Sequence, residues 1–517
     1  MKPPAYANGH AAPPVEAAPG YRLSNWGIPL GIAAAYCLPA AQPDMRLAIP
    51  MIVGATAVVT MLLAVTLYLG EKGAVRWTPR TILLVAAGLR LLFLFRPPEL
   101  SDDIYRYLWD GLQVLAGHNP YSSAPADFKP HSYALAGLLG RVNHSDMITI
   151  YPPAAQLIFA AGASLGGTVI GLKAFLVVLD LLTCHLIIRL LAVLGMPAWR
   201  AVLYAWHPLS VLEIAASGHI DGAAISLFFV AFSLVAAQTV ERPSGTSREG
   251  LSGFSPRRVI IPLASGLAFA GSVLVKLFPV LFLPGCFGLL PRRGRIYFCV
   301  GLLAGGIALA VPFMADLHKA VSTLRCYAQN WEFSGFVFQG LKNAGLSGNR
   351  ARGVIAMLFL ISLIFLYRAL WSERALRERR SSTGECRRSS GSEVPEALDV
   401  REALDVPRSG ASPYPLLPAL HTFHSISMAL LLLSPTLYPW YALVLAGLLP
   451  FAAGPAGLIL SWSVFLSYRV VIPYTLLGLW IEDGSTAALV WLAPAGAFCL
   501  SALARGLMRS QRYRWPA

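Results

Sequence analysis

Negative charge is what this chain has least of. Asp and Glu supply 26 of its 517 residues against 41 Lys and Arg, and charged residues together make up 13%. A soluble protein of this length needs more polar surface than that to cover its exterior. Cysteine is also sparse. Cys37, Cys184, Cys286, Cys299, Cys326, Cys386 and Cys499 form no CxxC and no Cys/His ligand spacing, which excludes a zinc module and a disulfide framework. Most of them lie in apolar stretches, where cysteine acts as a small hydrophobe. The N-terminus lacks a basic segment leading into a short apolar core. Residues 1–20, rich in Pro and Ala, therefore read as a disordered tail and not as a cleaved signal.

Apolar residues are abundant instead, at 56%. Runs of about 17–25 of them recur along the chain, so it reads as an all-α polytopic membrane protein of about 13–14 spans. The expected spans are 24–41, 47–70, 80–96, 170–193, 198–216, 221–239, 259–274, 277–290, 296–314, 351–371, 414–434, 438–453, 455–473 and 486–508. The 259–290 pair also reads as one long helix. A net charge of +15 does not imply nucleic acid, because the basic residues cluster in loops between spans, where they set topology. Placing the basic segments 72–80, 242–258, 292–295, 374–408 and 505–514 in the cytoplasm puts both termini inside. The loops 97–151 and 315–350 and the turn 435–441 then fall on the outer face. The same parity prevents 152–167 from crossing. Its Pro152-Pro153 start and its glycines suit a re-entrant or interfacial segment.

The expected division is a tail at 1–23, a transmembrane bundle at 24–371, a cytoplasmic linker at 372–413 and C-terminal spans at 414–517. The stretches 241–257 and 372–413 are rich in Ser, Gly and Arg and cannot build a core.

Chemistry-bearing residues gather in the expected outer loops. The first loop opens with Ser101-Asp102-Asp103-Ile104-Tyr105-Arg106-Tyr107-Leu108-Trp109-Asp110-Gly111. Paired carboxylates beside a span are costly and need a reason. Ile104, Leu108, Leu112 and Leu115 recur at helical spacing, while Asp103, Tyr107 and Asp110 share another face, so an amphipathic helix is expected on the outer leaflet. The bland alternative makes Asp102 an N-cap or the i,i+4 partner of Arg106. The loop continues through Asn119, Tyr121 and Tyr151. A second patch runs from Trp206-His207-Pro208 through Glu213 to His219 and Asp221. Lys276 stands inside an apolar run and calls for an anion or a phosphate, unless it merely snorkels. The loop 315–350 carries Arg325, Asn330, Trp331, Glu332, Phe333 and Lys342, and the turn 435–441 carries Tyr438, Trp440 and Tyr441, which read as a belt or as a rim that stacks on sugar or lipid.

In these motifs and their order the chain resembles the integral-membrane glycosyltransferases of the GT-C type. It looks most like the bacterial polyprenyl-phosphate-mannose-dependent mannosyltransferases and the related family 87 proteins. The resemblance spans roughly residues 80 to 475 and implies a GT-C-like bundle. It implies that Asp102 or Asp103 is the catalytic base, with the other as helper. Where a divalent metal, magnesium or manganese, is bound, as in some members, it would fall on Asp102 or Asp103, whichever is not the base. The implied donor is a polyprenyl-phosphate-linked hexose, mannose first. The implied acceptor is a hydroxyl on a lipid or glycan at the outer face of the plasma or inner membrane, and no nucleic acid is involved. Arg106, Tyr107, Asp110, Asn119, Tyr121, Tyr151, Glu213, His219, Asp221, Lys276, Arg325, Tyr438, Trp440 and Tyr441 are then candidates for substrate binding. The competing reading is a transporter or lipid flippase. It fits less well, because no inverted repeat is evident and the charges gather in an outer loop, not at the midplane.

Overall fold

The structure is a computed structural model that describes residues 20–240, 256–382 and 415–512. Residues 1–19 of the expected tail and most of both linkers lie outside these residues, while 20–23, expected as tail, begin the helix Gly20–Ala40. Every named element among the described residues is helical. Eight helices are long and apolar enough to cross a membrane, from Ile49–Glu71 to Gly484–Ser501, and shorter apolar helices such as Leu416–Leu432 and Pro439–Ala452 lie among them. The protein is thus an all-α, multi-pass membrane protein.

Side-chain contacts fix which end of each helix lies where. Arg96 Nη1 and Nη2 donate to the carbonyls of Ala40 and Gln42, so the helix Gly20–Ala40 ends where Pro79–Leu94 ends. Lys173 Nζ caps the carbonyls of Phe93 and Arg96 at 2.8 Å, which places the start of Val169–Val193 at that same end. The segment 152–167 begins beside this end at Tyr151. It also finishes there, where Gly167 approaches Leu112. It enters and leaves on one side, as the span parity required.

The region expected as the span 198–216 is helical but broken. A 3-10 turn Ala198–Ala201 and a single α turn Val202–Ala205 give way at Trp206-His207-Pro208 to a π-helix, Leu209–Ala216. Proline removes one ladder donor, and neighbouring groups satisfy what it frees. Ser210 Oγ donates to the Tyr204 carbonyl, and Trp206 Nε1 donates to the Ile82 carbonyl. A fully buried Arg90–Asp180 pair locks this break to two spans, with Arg90 Nη1 on the Ala205 carbonyl and the Tyr204 hydroxyl on Asp180.

The 259–290 region is a hairpin and not one helix. Arg257–Val275 stops at Lys276, which is extended at φ −145 and ψ 142. The chain returns through Phe278–Phe282 and Leu283–Leu289. Arg292–Ala310 then packs beside Arg257–Val275 through Gly266, Gly301 and Gly305, where small residues let backbones touch. The last difference is at Gly348–Ser382, which stays helical beyond residue 371.

The expected amphipathic helix is Asp103–Leu115, but it does not float on the leaflet. Ile104, Arg106, Tyr107, Leu108, Trp109, Asp110 and Gly111 are all buried, so it is clasped on several sides. Gly111 rests against the Phe159 carbonyl of the helix Pro153–Ala163, and any Cβ there would collide with backbone. Gly111→Val is expected to cost roughly 1–3 kcal/mol by forcing these helices apart. A lowered thermal midpoint of the purified protein reads this out, and an unchanged midpoint would contradict the packing.

Candidate active site

The end of the bundle at which these contacts converge holds a cavity of about 1320 Å³. One wall comes from the first loop. Asp102 occupies the N-cap position of its helix, yet its side chain caps nothing. Arg106 turns away to Asp110, with Nε 3.0 Å from Oδ1, so neither bland role proposed for Asp102 is filled. Partial loss of hydration, and then the charge of Asp103, push the Asp102 carboxyl above its usual range. Asp103 is held firmly. Asn143 Nδ2 donates to its Oδ1 at 2.7 Å, and the hydroxyls of Tyr107 and Tyr151 approach Oδ2 at 3.4 and 3.5 Å. Asn143 precedes His144, whose φ of 44 marks a sharp corner in the loop.

The facing wall comes from two helix ends. Gly218 adopts φ 78 and turns the chain from the π-helix into the helix that starts at Asp221. Lys276 Nζ lies 3.3 Å from Asp221 Oδ2, which supplies the anion that the lysine called for. The same ammonium sits 5.6 Å from the ring centroids of Tyr151 and Tyr441. The Tyr441 and Tyr327 hydroxyls are 2.7 Å apart. Below them a stacked row runs Phe333, Tyr438, Trp440, His219, with centroid spacings of 4.5, 4.5 and 3.9 Å. Both faces of Tyr438 and of Trp440 are therefore used within the protein. They present edges to the cavity and offer no stacking platform.

The remaining expected residues divide clearly. Asp102, Asp103, Arg106, Tyr151, Asp221, Lys276, Tyr438, Trp440 and Tyr441 line the cavity. Tyr107 lies buried behind Asp103. Asp110 accepts from Arg106 and Gln156. Asn119 Oδ1 accepts the Tyr121 N–H, and the Tyr121 hydroxyl donates to the Tyr151 carbonyl at 2.6 Å, so this pair braces the loop. Glu213 is fully buried and accepts from the Tyr468 hydroxyl at 2.8 Å, with His219 Nε2 3.5 Å from the same oxygen. Arg325 is exposed and is not among the cavity-lining residues. Trp331 and Glu332 of the loop 315–350 also line it, and the structure adds Asn143, His144, Tyr327, Trp480 and Glu482.

A further part of the wall is apolar. Leu277, Phe278, Leu430, Leu431, Val444, Val470 and Val471 line the cavity at the level of the spans. Leu277 is 47% exposed, so the apolar side reaches the outer surface of the bundle. Carboxylates, tyrosines and a paired lysine thus face one chamber whose apolar side continues to the exposed surface of the bundle at Leu277.

The family model for the N-terminal domain of alpha-(1->6)-mannopyranosyltransferases, the MptA_B family, matches residues 33–292. The chain belongs to this family. Its chemistry is accordingly mannosyl transfer, and it is a glycosyltransferase of the membrane. The match includes Asp102, Asp103, Asn143, Tyr151, His219, Asp221 and Lys276, and it ends before Phe333, Tyr438 and Trp440 of the aromatic row. No curated protein and no solved structure matches the chain.

Proposed function

We propose that this mannosyltransferase takes mannose from a polyprenyl-phosphate-mannose donor and passes it, with inversion, to a hydroxyl of a lipid- or glycan-borne acceptor on the outer face of the plasma or inner membrane. The observation that carries the reading is the two-sided cavity, with reactive polar groups on one wall and an apolar wall that runs out to the exposed Leu277. A sugar nucleotide has no use for the apolar wall, whereas a polyprenyl chain does.

Asp102 is the base in this reading. Its carboxylate accepts no hydrogen bond among the described residues and carries a raised proton affinity, as a general base needs. It takes the proton of the acceptor hydroxyl as that oxygen bonds to the anomeric carbon. The bond from that carbon to the phosphate oxygen breaks, and the electron pair leaves on polyprenyl phosphate. Asp103, fixed by Asn143 and two tyrosines, orients the loop and raises the affinity of Asp102 for its proton. Lys276, which pairs with Asp221 and lines the cavity, is in this reading the cation that meets the departing phosphate charge.

The residues also suit a divalent metal. Among the described residues no group of three or more His, Cys, Asp or Glu converges on one point. Magnesium needs fewer protein ligands when substrate phosphate completes its shell. Asp103 would hold it, which leaves Asp102 as the base, and it would neutralise phosphate charge.

Stereochemistry tests the reaction. A β-linked donor should yield an α-linked mannoside, as the family description implies, and NMR of the product would show it. Retention would contradict the single displacement. Orientation is tested separately. In a variant lacking the exposed native cysteines, an impermeant thiol reagent applied to intact cells should label Ser123→Cys and spare Lys72→Cys. The reverse pattern would place the cavity on the inner face.

A further inference from the structure

Beyond the loop that carries Asp102, the cavity has a second polar lobe outside the matched residues. Two elements build it: the loop around Trp331-Glu332-Phe333, and the connector Trp480-Ile481-Glu482 that precedes the last helix. The loop is anchored like a short strand. Phe333 N–H donates to the Pro435 carbonyl at 3.1 Å, and Leu437 N–H donates to the Phe333 carbonyl at 2.7 Å. Gly335 presses on the same Ser434-Pro435 backbone so closely that no side chain fits there.

The polar groups on this base are fixed in advance. Glu332 accepts from Lys342 Nζ at 2.6 Å and from Arg352 Nη2 at 3.1 Å. Glu482 accepts from Trp480 Nε1 at 3.3 Å and from the Ser334 N–H at 3.5 Å. Burial pushes the Glu482 carboxyl up from its usual range. The Trp480 ring is propped by Phe333 at 5.4 Å, while 46% of the residue stays open. Trp331 packs edge-on against His144 at 5.1 Å, one residue from the Asn143 that holds Asp103. The lobe is therefore tied to the catalytic loop.

Each feature narrows the ligand. The Trp480 indole, braced by Phe333 and edge-on by Tyr474 at 5.7 Å, keeps exposed apolar surface for the C–H side of a pyranose. Pinned carboxylates retain lone pairs that accept from neighbouring hydroxyls, with little ordering left to do on binding. Lys342 and Arg352 both pair with Glu332 and neither lines the cavity, whereas Lys276 does, so this lobe presents no cation to a phosphate. A belt tryptophan would face only lipid, whereas Trp480 lines the cavity.

We infer that Trp331, Glu332, Trp480 and Glu482 form the acceptor subsite, which takes a neutral pyranose of a glycan chain while the lipid donor lies on the Lys276 side. The inference rests on the transfer reaction proposed above, which it supplies with an acceptor class. Its test does not need turnover. Isothermal titration of the full purified chain with α-(1→6)-linked mannotriose measures binding directly, and titration with polyprenyl phosphate serves as the control.

Trp480→Ala and Glu482→Gln should each weaken mannotriose binding at least tenfold and leave polyprenyl phosphate binding intact. Trp480→Phe, which keeps an aromatic face, should lose only a few-fold. The inference is overturned if the wild-type chain does not bind mannotriose, if both disruptive variants bind it as the wild type does, or if they lose polyprenyl phosphate binding equally. Should mannotriose bind through Trp480 while no lipid donor is consumed, the subsite stands and the proposed reaction falls. Transfer with mannotriose binding indifferent to Trp480 and Glu482 gives the converse.

Discussion

Asp102→Asn should lower turnover by about a hundredfold or more while the protein still folds. Asparagine keeps the shape of the side chain and removes its basicity, and the Asp102 carboxylate supports no other group in the loop. The pH profile carries finer information. Partial burial and the Asp103 charge both raise the Asp102 pKa, so the acid limb of the wild-type profile should lie above the usual carboxylate range. The base must be deprotonated to act, so the rate falls as pH drops through that pKa. Asp103→Asn removes the neighbouring negative charge and lowers the pKa of Asp102. Its acid limb should therefore move to lower pH, even though its rate also falls. A limb that does not move, with Asp102→Asn fully active, would remove Asp102 from the chemistry.

Lys276→Met should damage both folding and catalysis, and the two effects can be separated. Asp221 is 4% exposed and Lys276 is its ion-pair partner, so removing the lysine strands a buried carboxylate. Breaking a buried pair in this way costs about 3–5 kcal/mol. Adding Asp221→Asn removes the stranded charge and should recover most of the lost thermal stability. Turnover should stay down by roughly a hundredfold in the double variant, because the cation facing the leaving phosphate is still missing. If the double variant transfers mannose at the wild-type rate, Lys276 is a structural partner only.

Part of this site was legible in the sequence because costs in a membrane are easy to read. A lysine in an apolar run needs an anion, and Asp221 supplies it. Loop charge and span parity required 152–167 to turn back, and it does. Other features depended on long-range contacts that no periodicity records. Asn143 lies 40 residues from Asp103, with nothing in its neighbourhood to single it out. Glu482 reaches Ser334 across 148 positions. Tyr438 and Trp440 looked available for stacking because the sequence does not show that Phe333 and His219 already cover their faces. Arg106 had carboxylates four residues away on either side, and local spacing did not choose between Asp102 and Asp110. The break in 198–216 was marked by Pro208, but apolar content alone reads through it.

The central claim is that the donor arrives from the lipid phase. Purified full-length protein, given a mannoside acceptor, should be offered radiolabelled polyprenyl-phosphate-mannose in one reaction and nucleotide-linked mannose in another. The account predicts labelled glycan from the lipid donor alone. Labelled glycan from the nucleotide sugar in the absence of any lipid donor, or none from the lipid donor, would contradict it.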